Sequence, residues 1–198
     1  MINTILFDLD GVLVDACGWH YHSLNDALSK YAGFTISYED HLTTFNGLPT
    51  KVKLDLLDID ESLHKDIWLM KQDRTIYNIK KYGMIDKYKI KMHESLIKEG
   101  YTLACVTNSI RKTAKEMLKI TGQSPFMSVL ISNEDVENNK PHPDCYLHAM
   151  SELGVNKDQV LIVEDSPKGR QAAYDTGCKV LEVDDIYDVT LDNIRRFL

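Results

Sequence analysis

The sequence predicts an α/β protein: a doubly wound parallel sheet with a block of helices inserted into it. Three observations predict it. Five short apolar runs lack polar alternation, at residues 4–7, 102–106, 128–131, 159–163 and 179–183. Such runs suit strands covered on both faces. Helical stretches separate the later runs, and alternating strands and helices favour parallel pairing. Between the first two runs, residues 15–89 carry almost no strand pattern.

The elements follow in chain order. Ile5-Leu6-Phe7 forms the first strand and leads directly into Asp8-Leu9-Asp10-Gly11. In the insertion, Leu24, Ala27, Leu28 and Tyr31 step at three and four, the helical period. Ser37 followed by Asp40 reads as an N-terminal cap. Pro49 opens a helix over 50–57. A longer helix over 61–82 carries Leu63, Ile67, Met70 and Tyr77 along one face. Together these suggest a small helical bundle. Beyond the second strand, a helix at 111–119 presents Ala114, Met117 and Leu118. The next, at 144–153, presents Leu147, Met150 and Leu153. The last, at 168–176, presents Ala172 and Ala173 and stops at Gly177. The division expected is a sheet unit of residues 1–14 and 90–198, and a helical unit of residues 15–89.

Composition narrows the function classes. The 198 residues, 43% of them hydrophobic, suffice for one substantial core and a smaller unit. No apolar run approaches the roughly 20 residues needed to span a bilayer, so no membrane partner is expected. The N-terminus lacks a basic region followed by a long apolar stretch, so a secretory signal is not expected. A net charge of −7 disfavours a nucleic-acid partner. It leaves room for a small phosphate ester, because a local lysine and a metal can overrule the global charge. Cys17, Cys105, Cys145 and Cys178 form no zinc-like spacing. A reducing cytoplasm fits them best, and Cys105 reads as a small core residue. A monomer is expected, and a dimer is compatible.

The chemistry gathers where apolar runs end. Asp8 and Asp10 stand two apart, so on an extended strand both face one side, unless the turn at Gly11 re-aims the second. Paired carboxylates repel unless a cation or proton lies between them. They suit a Mg2+ site in which one carboxylate is a nucleophile and the other a general acid/base. Alone, the same residues also fit a polar strand end entering a glycine turn. The second run ends in Thr107-Asn108-Ser109, and the fourth in Glu164-Asp165-Ser166; both endings also suit helix caps. Between them lies a proline-bound loop, Asn139-Lys140-Pro141-His142-Pro143.

Acid, hydroxyl, lysine and acid occur in that order, as F-D-L-D-G-V, V-T-N-S, K-P-H-P and V-E-D-S-P-K-G. These segments resemble the four motifs of the haloacid dehalogenase-like phosphohydrolases, and the resemblance covers essentially the whole chain. It implies strand order 3-2-1-4-5, which would bring Asp8, Thr107 and Asp165 together at the topological switch point. It implies Asp8 as nucleophile, forming an aspartyl phosphate, and Asp10 as general acid/base. Thr107 and the backbone N–H of Asn108 would hold phosphoryl oxygens. Lys140 would neutralise charge. Asp165 and Glu164, with Asp8 and Asp10, would hold Mg2+. His142 falls at a variable position and reads as surface. The insertion is similar to the helical cap of the β-phosphoglucomutase and phosphoglycolate phosphatase branch. His20 stands where the mutases keep a hinge histidine. The loop 45–51, with Gly47, resembles their substrate loop, but Thr50 replaces the usual arginine and Lys51 lies beside it. That departure favours a phosphatase of a small phosphorylated sugar or organic acid over a phosphosugar mutase. L-I-V-E-D-S-P also resembles receiver modules of phospho-signalling, but those place their lysine after the last acidic pair and carry no cap.

Overall fold

The computed structural model describes residues 1–198. They form two compact units, Met1–Asp15 with Met84–Leu198, and Ala16–Gly83. The first strand, β1 (Thr4–Phe7), is buried throughout.

The second unit is helical: α1 (Cys17–Tyr31), α2 (Tyr38–Asp40), α3 (Thr50–Leu56) and α4 (Glu61–Tyr82). Ser37 caps α2 by accepting from the Asp40 N–H at 3.0 Å. The turn that follows, His41–Phe45, is wound as a π-helix. Leu24, Ala27, Leu28, Ile36, Phe45, Leu54 and Ile67 make this unit's core. The buried face of α4 differs from the expected stripe. It runs through Ile67, Lys71, Thr75, Asn78 and Ile79, while Tyr77 is 47% exposed. Polar side chains occupy that face because they are satisfied inside the packing. Asn78 donates to Ser23 Oγ at 3.0 Å and Thr75 to the Lys71 carbonyl at 2.8 Å.

The sheet unit resumes with α5 (Lys87–Lys98), β2 (Thr102–Val106), α6 (Arg111–Ile120), β3 (Val129–Ile131) and α7 (Asp144–Leu153). It closes with β4 (Val160–Glu164), α8 (Pro167–Asp175), β5 (Lys179–Glu182) and α9 (Leu191–Arg195). Residues 84–89, read from sequence as part of the insertion, belong to this unit. Lys89 is buried there and donates to the carbonyls of Ile186 and Val189, at 2.7 and 2.8 Å.

The sheet is parallel throughout, in the order β3-β2-β1-β4-β5. Leu6, Ala104 and Ile162 point to one face, with Cys145, Tyr146, Ala149, Ala172 and Ala173 of α7 and α8. Phe7 points to the other and meets His93 of α5 edge-on. Leu147, expected in the core, is 44% exposed. The inward stripe of α7 is Cys145, Tyr146, Ala149 and Met150, one step out of phase with the expected one. Pairing sets Phe7 beside both Cys105 and Val163. The next residues, Asp8, Val106 and Glu164, therefore end neighbouring strands at one level. No helix is long and apolar enough to cross a membrane.

Candidate active site

The site grows from that common strand end. Asp8 is held by its N–H, which donates to the Val163 carbonyl at 3.0 Å. The residue is 7% exposed. Burial, and then the nearby Glu164 charge, push its carboxyl well above the usual range, against the pull of Lys140.

Lys140 arrives from the loop before α7. Its Nζ lies 2.6 Å from Asp8 Oδ1, 2.8 Å from Glu164 Oε2, 2.9 Å from Tyr146 Oη and 3.0 Å from the Val106 carbonyl. An ammonium has three protons, so this nitrogen is saturated. Burial opposes the charge on Lys140, but Asp8 and Glu164 outweigh it and raise the ammonium well above its ordinary value. Asn108 fixes the loop from the end of β2: its Oδ1 accepts from the Lys140 N–H at 3.1 Å, and its Nδ2 donates to the Lys140 carbonyl at 3.2 Å.

Glu164, the last residue of β4, is fully buried. Oε2 accepts from Lys140 and, at 2.7 Å, from Tyr146. Oε1 accepts from the N–H groups of Asp165 and Ser166 and from Ser166 Oγ. Burial acts to raise this carboxyl, but Lys140 and these hydrogen bonds hold it below its ordinary value. A Cβ on Gly169 would overlap the Glu164 carboxylate, so the first turn of α8 carries no side chain at that position.

Asp165 is different. Burial, then Glu164, raise it to about 7, and its Oδ1 is buried without a hydrogen-bond partner. Oxygens of Asp8, Glu164 and Asp165 lie within 4.8 Å of one another. Gly11, at φ +92°, passes so close that a Cβ would overlap the Asp165 carboxylate. Hard carboxylate oxygens, one of them unpartnered and two raised in pKa, fit a Mg2+ ion. Asp8 and Asp165 have the oxygens for it, whereas both oxygens of Glu164 are committed to protein donors.

Asp10 lies just before the turn at Gly11. Its Oδ2 accepts from Ser109 Oγ at 2.8 Å and, more weakly, from Thr107 Oγ1 at 3.4 Å. Thr107 Oγ1 in turn accepts from the Ser109 N–H at 3.0 Å. The structure thus brings together Asp8, Asp10, Thr107, Asn108, Lys140, Glu164 and Asp165. It adds Tyr146 and Ser109, which the sequence reading passed over. Ser109 lies inside a quoted motif, but Tyr146 carried no signal beyond an aromatic in a helical stretch. In the helical unit, Gly47 is exposed at φ +71°. Lys51 has a side chain 69% exposed and pairs with Asp55 at 3.3 Å. His20 is half-buried, with Nδ1 3.4 Å from Lys71 Nζ. His142 is exposed.

The raised carboxyl of Asp165 gives a pH prediction. Its folded pKa of about 7 exceeds the ordinary value of 3.8. The stability this brings is full below 3.8 and is lost as pH rises through about 7. Asp8 acts in the same direction. In chelator, the urea midpoint should therefore be lower at pH 7.5 than at pH 5. Added Mg2+ should raise it more at pH 7.5, where it does not compete with protons. A Mg2+ effect equal at both pH values would argue against these carboxylates as its ligands.

A doubly wound sheet with a buried lysine and clustered acids at its switch point is the arrangement expected of a phosphohydrolase, and comparison with known proteins agrees. The family model for haloacid dehalogenase-like hydrolases matches residues 5–183, and the chain belongs to that family. It is 30% identical over 194 residues to the pyrophosphatase PpaX of Anoxybacillus flavithermus, covering 92% of this chain and 83% of the relative. Among solved structures, β-phosphoglucomutase from Clostridium difficile superposes with a TM-score of 0.85 at 19% identity, covering 99% of this chain and 96% of that one. CbbY from Rhodobacter sphaeroides in complex with phosphate gives 0.84 at 21% identity, covering 94% and 88%. At those identities the superpositions establish the fold.

Proposed function

We propose that the chain is a Mg2+-dependent phosphatase of small phosphorylated sugars or organic acids, working through a phosphoryl group carried on Asp8. The observation that supports this most is the buried Lys140 ammonium, 2.6 Å from Asp8 Oδ1. A carboxylate attacking a phosphate dianion meets like charge, and a fixed cation at the nucleophile offsets it. The free Asp8 oxygen attacks phosphorus while Asp10 gives its proton to the departing ester oxygen. Water then attacks the phosphoryl group, returns a proton to Asp10, and releases phosphate and Asp8. Thr107, Ser109 and the Asn108 N–H serve the phosphoryl oxygens. Glu164, locked by its donors, orients Lys140. Bound Mg2+, held by Asp8 and Asp165, would supply charge neutralisation and alignment of the phosphoryl oxygens.

A phosphate-release screen with Mg2+ and with chelator tests the reading. Sugar phosphates, organic-acid phosphates and, given the PpaX relative, pyrophosphate belong in it. Release from none of them, or equal release in chelator, would overturn it. The role of Asp10 has its own test. Asp10→Asn should slow phosphoenzyme formation about 10²–10⁴-fold for alkyl phosphates. The loss should be much smaller for an aryl phosphate, whose leaving group barely needs a proton. Equal losses in that step would leave Asp10 without an acid role.

The contact between His20 and Lys71 favours a second reading, a phosphosugar mutase, since His20 falls at the mutase hinge. Thr50 in place of arginine weighs against it, because it offers no bidentate fork for a second phosphate. On the helical unit, His20 and the loop at Gly47 are the substrate-side groups we propose. Lys51, on the exposed face of α3, would act only through long-range charge. Conversion of β-glucose 1-phosphate to glucose 6-phosphate, with little free phosphate, would decide for the mutase.

A further inference from the structure

Helix α5 buries two polar side chains where an amphipathic helix normally places apolar ones. Lys89, Met92, His93 and Leu96 form its inward face. Lys89 is engaged by the carbonyls of Ile186 and Val189. His93 touches no residue of the phosphoryl site, yet it is fully buried. Its ring meets Phe7, 5.7 Å between centroids, and Phe126, at 5.6 Å. Nε2 lies 2.9 Å from Oε1 of Gln123.

Gln123, just beyond α6, is also fully buried. Its Nε2 donates to the Leu13 carbonyl at 2.9 Å and to Thr121 Oγ1 at 3.0 Å. Thr121 gives its own proton to the Met117 carbonyl at 2.8 Å, so its oxygen is free to accept. A carbonyl only accepts, which fixes the amide with its nitrogen toward Leu13 and its oxygen toward His93. His93 therefore carries its proton on Nε2. Burial, against that hydrogen bond, pushes the imidazole down to about 4, so the ring is neutral near pH 7.

Two apolar side chains would fill this space without burying polar atoms. What the pair adds is a hold on one carbonyl. Leu13 belongs to the turn that follows β1. The Leu13 and Val14 N–H groups donate to the Leu9 carbonyl, at 3.0 and 2.9 Å, and the Gly11 N–H donates to the Val14 carbonyl at 2.8 Å. Asp10 stands inside that set of bonds, and Gln123 grips it from outside.

We propose that Gln123, oriented by His93, is a positioning residue that holds the Leu9–Val14 turn and so sets the place from which Asp10 delivers its proton. The proposal rests on the acid role given to Asp10 above. Ser109 and Thr107 align the Asp10 carboxylate, and that alignment needs the backbone beneath it to stay in place.

Gln123→Leu removes the grip at nearly constant volume. Phosphoenzyme formation from ethyl phosphate should fall about 10–10²-fold, the cost of a small misplacement near a reacting group. With 4-nitrophenyl phosphate the loss should be much smaller, because its leaving group barely needs a proton. A merely structural defect would slow both equally. Amide hydrogen exchange gives a readout without turnover. In Gln123→Leu the Leu13 and Val14 N–H groups should exchange about 10-fold faster, while those of β4 keep their wild-type rates. If the single variant does not fold, His93→Leu with Gln123→Leu replaces it, since that pair leaves no histidine N–H unpaired. Wild-type exchange at Leu13 and Val14 in the folded variant would overturn the grip. Equal losses with both esters, where Asp10→Asn does separate them, would overturn the positioning of Asp10. If Asp10→Asn also fails to separate them, the acid role falls and the positioning claim with it, and exchange alone decides whether Gln123 holds the turn.

Discussion

Asp8→Asn should lower kcat by at least about 10⁴-fold while the protein stays folded. The amide cannot act as the nucleophile and is a poor ligand for a hard cation. It fills the same volume and removes a carboxylate whose ionisation burial already opposes. Lys140 keeps Glu164 as its counter-ion at 2.8 Å, so no buried charge is orphaned. The thermal midpoint should accordingly hold or rise. Beryllium fluoride, which mimics an acyl phosphate, should stabilise the wild type in Mg2+ and leave the variant unaffected. Near-normal turnover by a folded Asp8→Asn protein would remove Asp8 from the mechanism.

Lys140→Met should damage activity and stability together. Turnover should fall about 10²–10³-fold, the usual loss when a fixed electrostatic partner of a transition state is removed. Stability should fall by about 3–5 kcal/mol, because fully buried Glu164 loses its cation. The double variant Lys140→Met with Glu164→Gln should regain most of the stability and none of the activity. Urea denaturation at pH 7 measures one effect and phosphate release the other. A single variant as stable as the wild type would show that Glu164 is not held as an anion.

The two effects also explain what a sequence can disclose. Strands were legible because covered parallel strands are apolar without interruption, and β1, β2 and α7 begin and end where the sequence pattern ends. The grouping of Asp8, Thr107 and Asp165 was legible because each closes or follows such a run, whereas Lys140, in a polar loop, was picked out only by the resemblance of K-P-H-P to the family's motif. Helix faces were harder. In α7, Leu147 and Tyr146 are adjacent, and either phase of the stripe is apolar enough. The sheet chose Tyr146, whose hydroxyl reaches Lys140 and Glu164. In α4, hydropathy favours Tyr77, yet the buried positions go to Lys71, Thr75 and Asn78. Polar residues satisfied by tertiary partners leave no trace in a hydrophobic pattern.

The division into two units has a consequence for how such an enzyme can change. Every residue assigned to bond making and breaking lies in Met1–Asp15 or Met84–Leu198, and every proposed selectivity residue in Ala16–Gly83. On the proposed assignment, reactivity and taste for substrate would be written in separate stretches of the gene. A mutational library confined to codons 16–83 would sample new substrates without touching the catalytic carboxylates, and the same partition lets a lineage drift between esters while inheriting its chemistry intact.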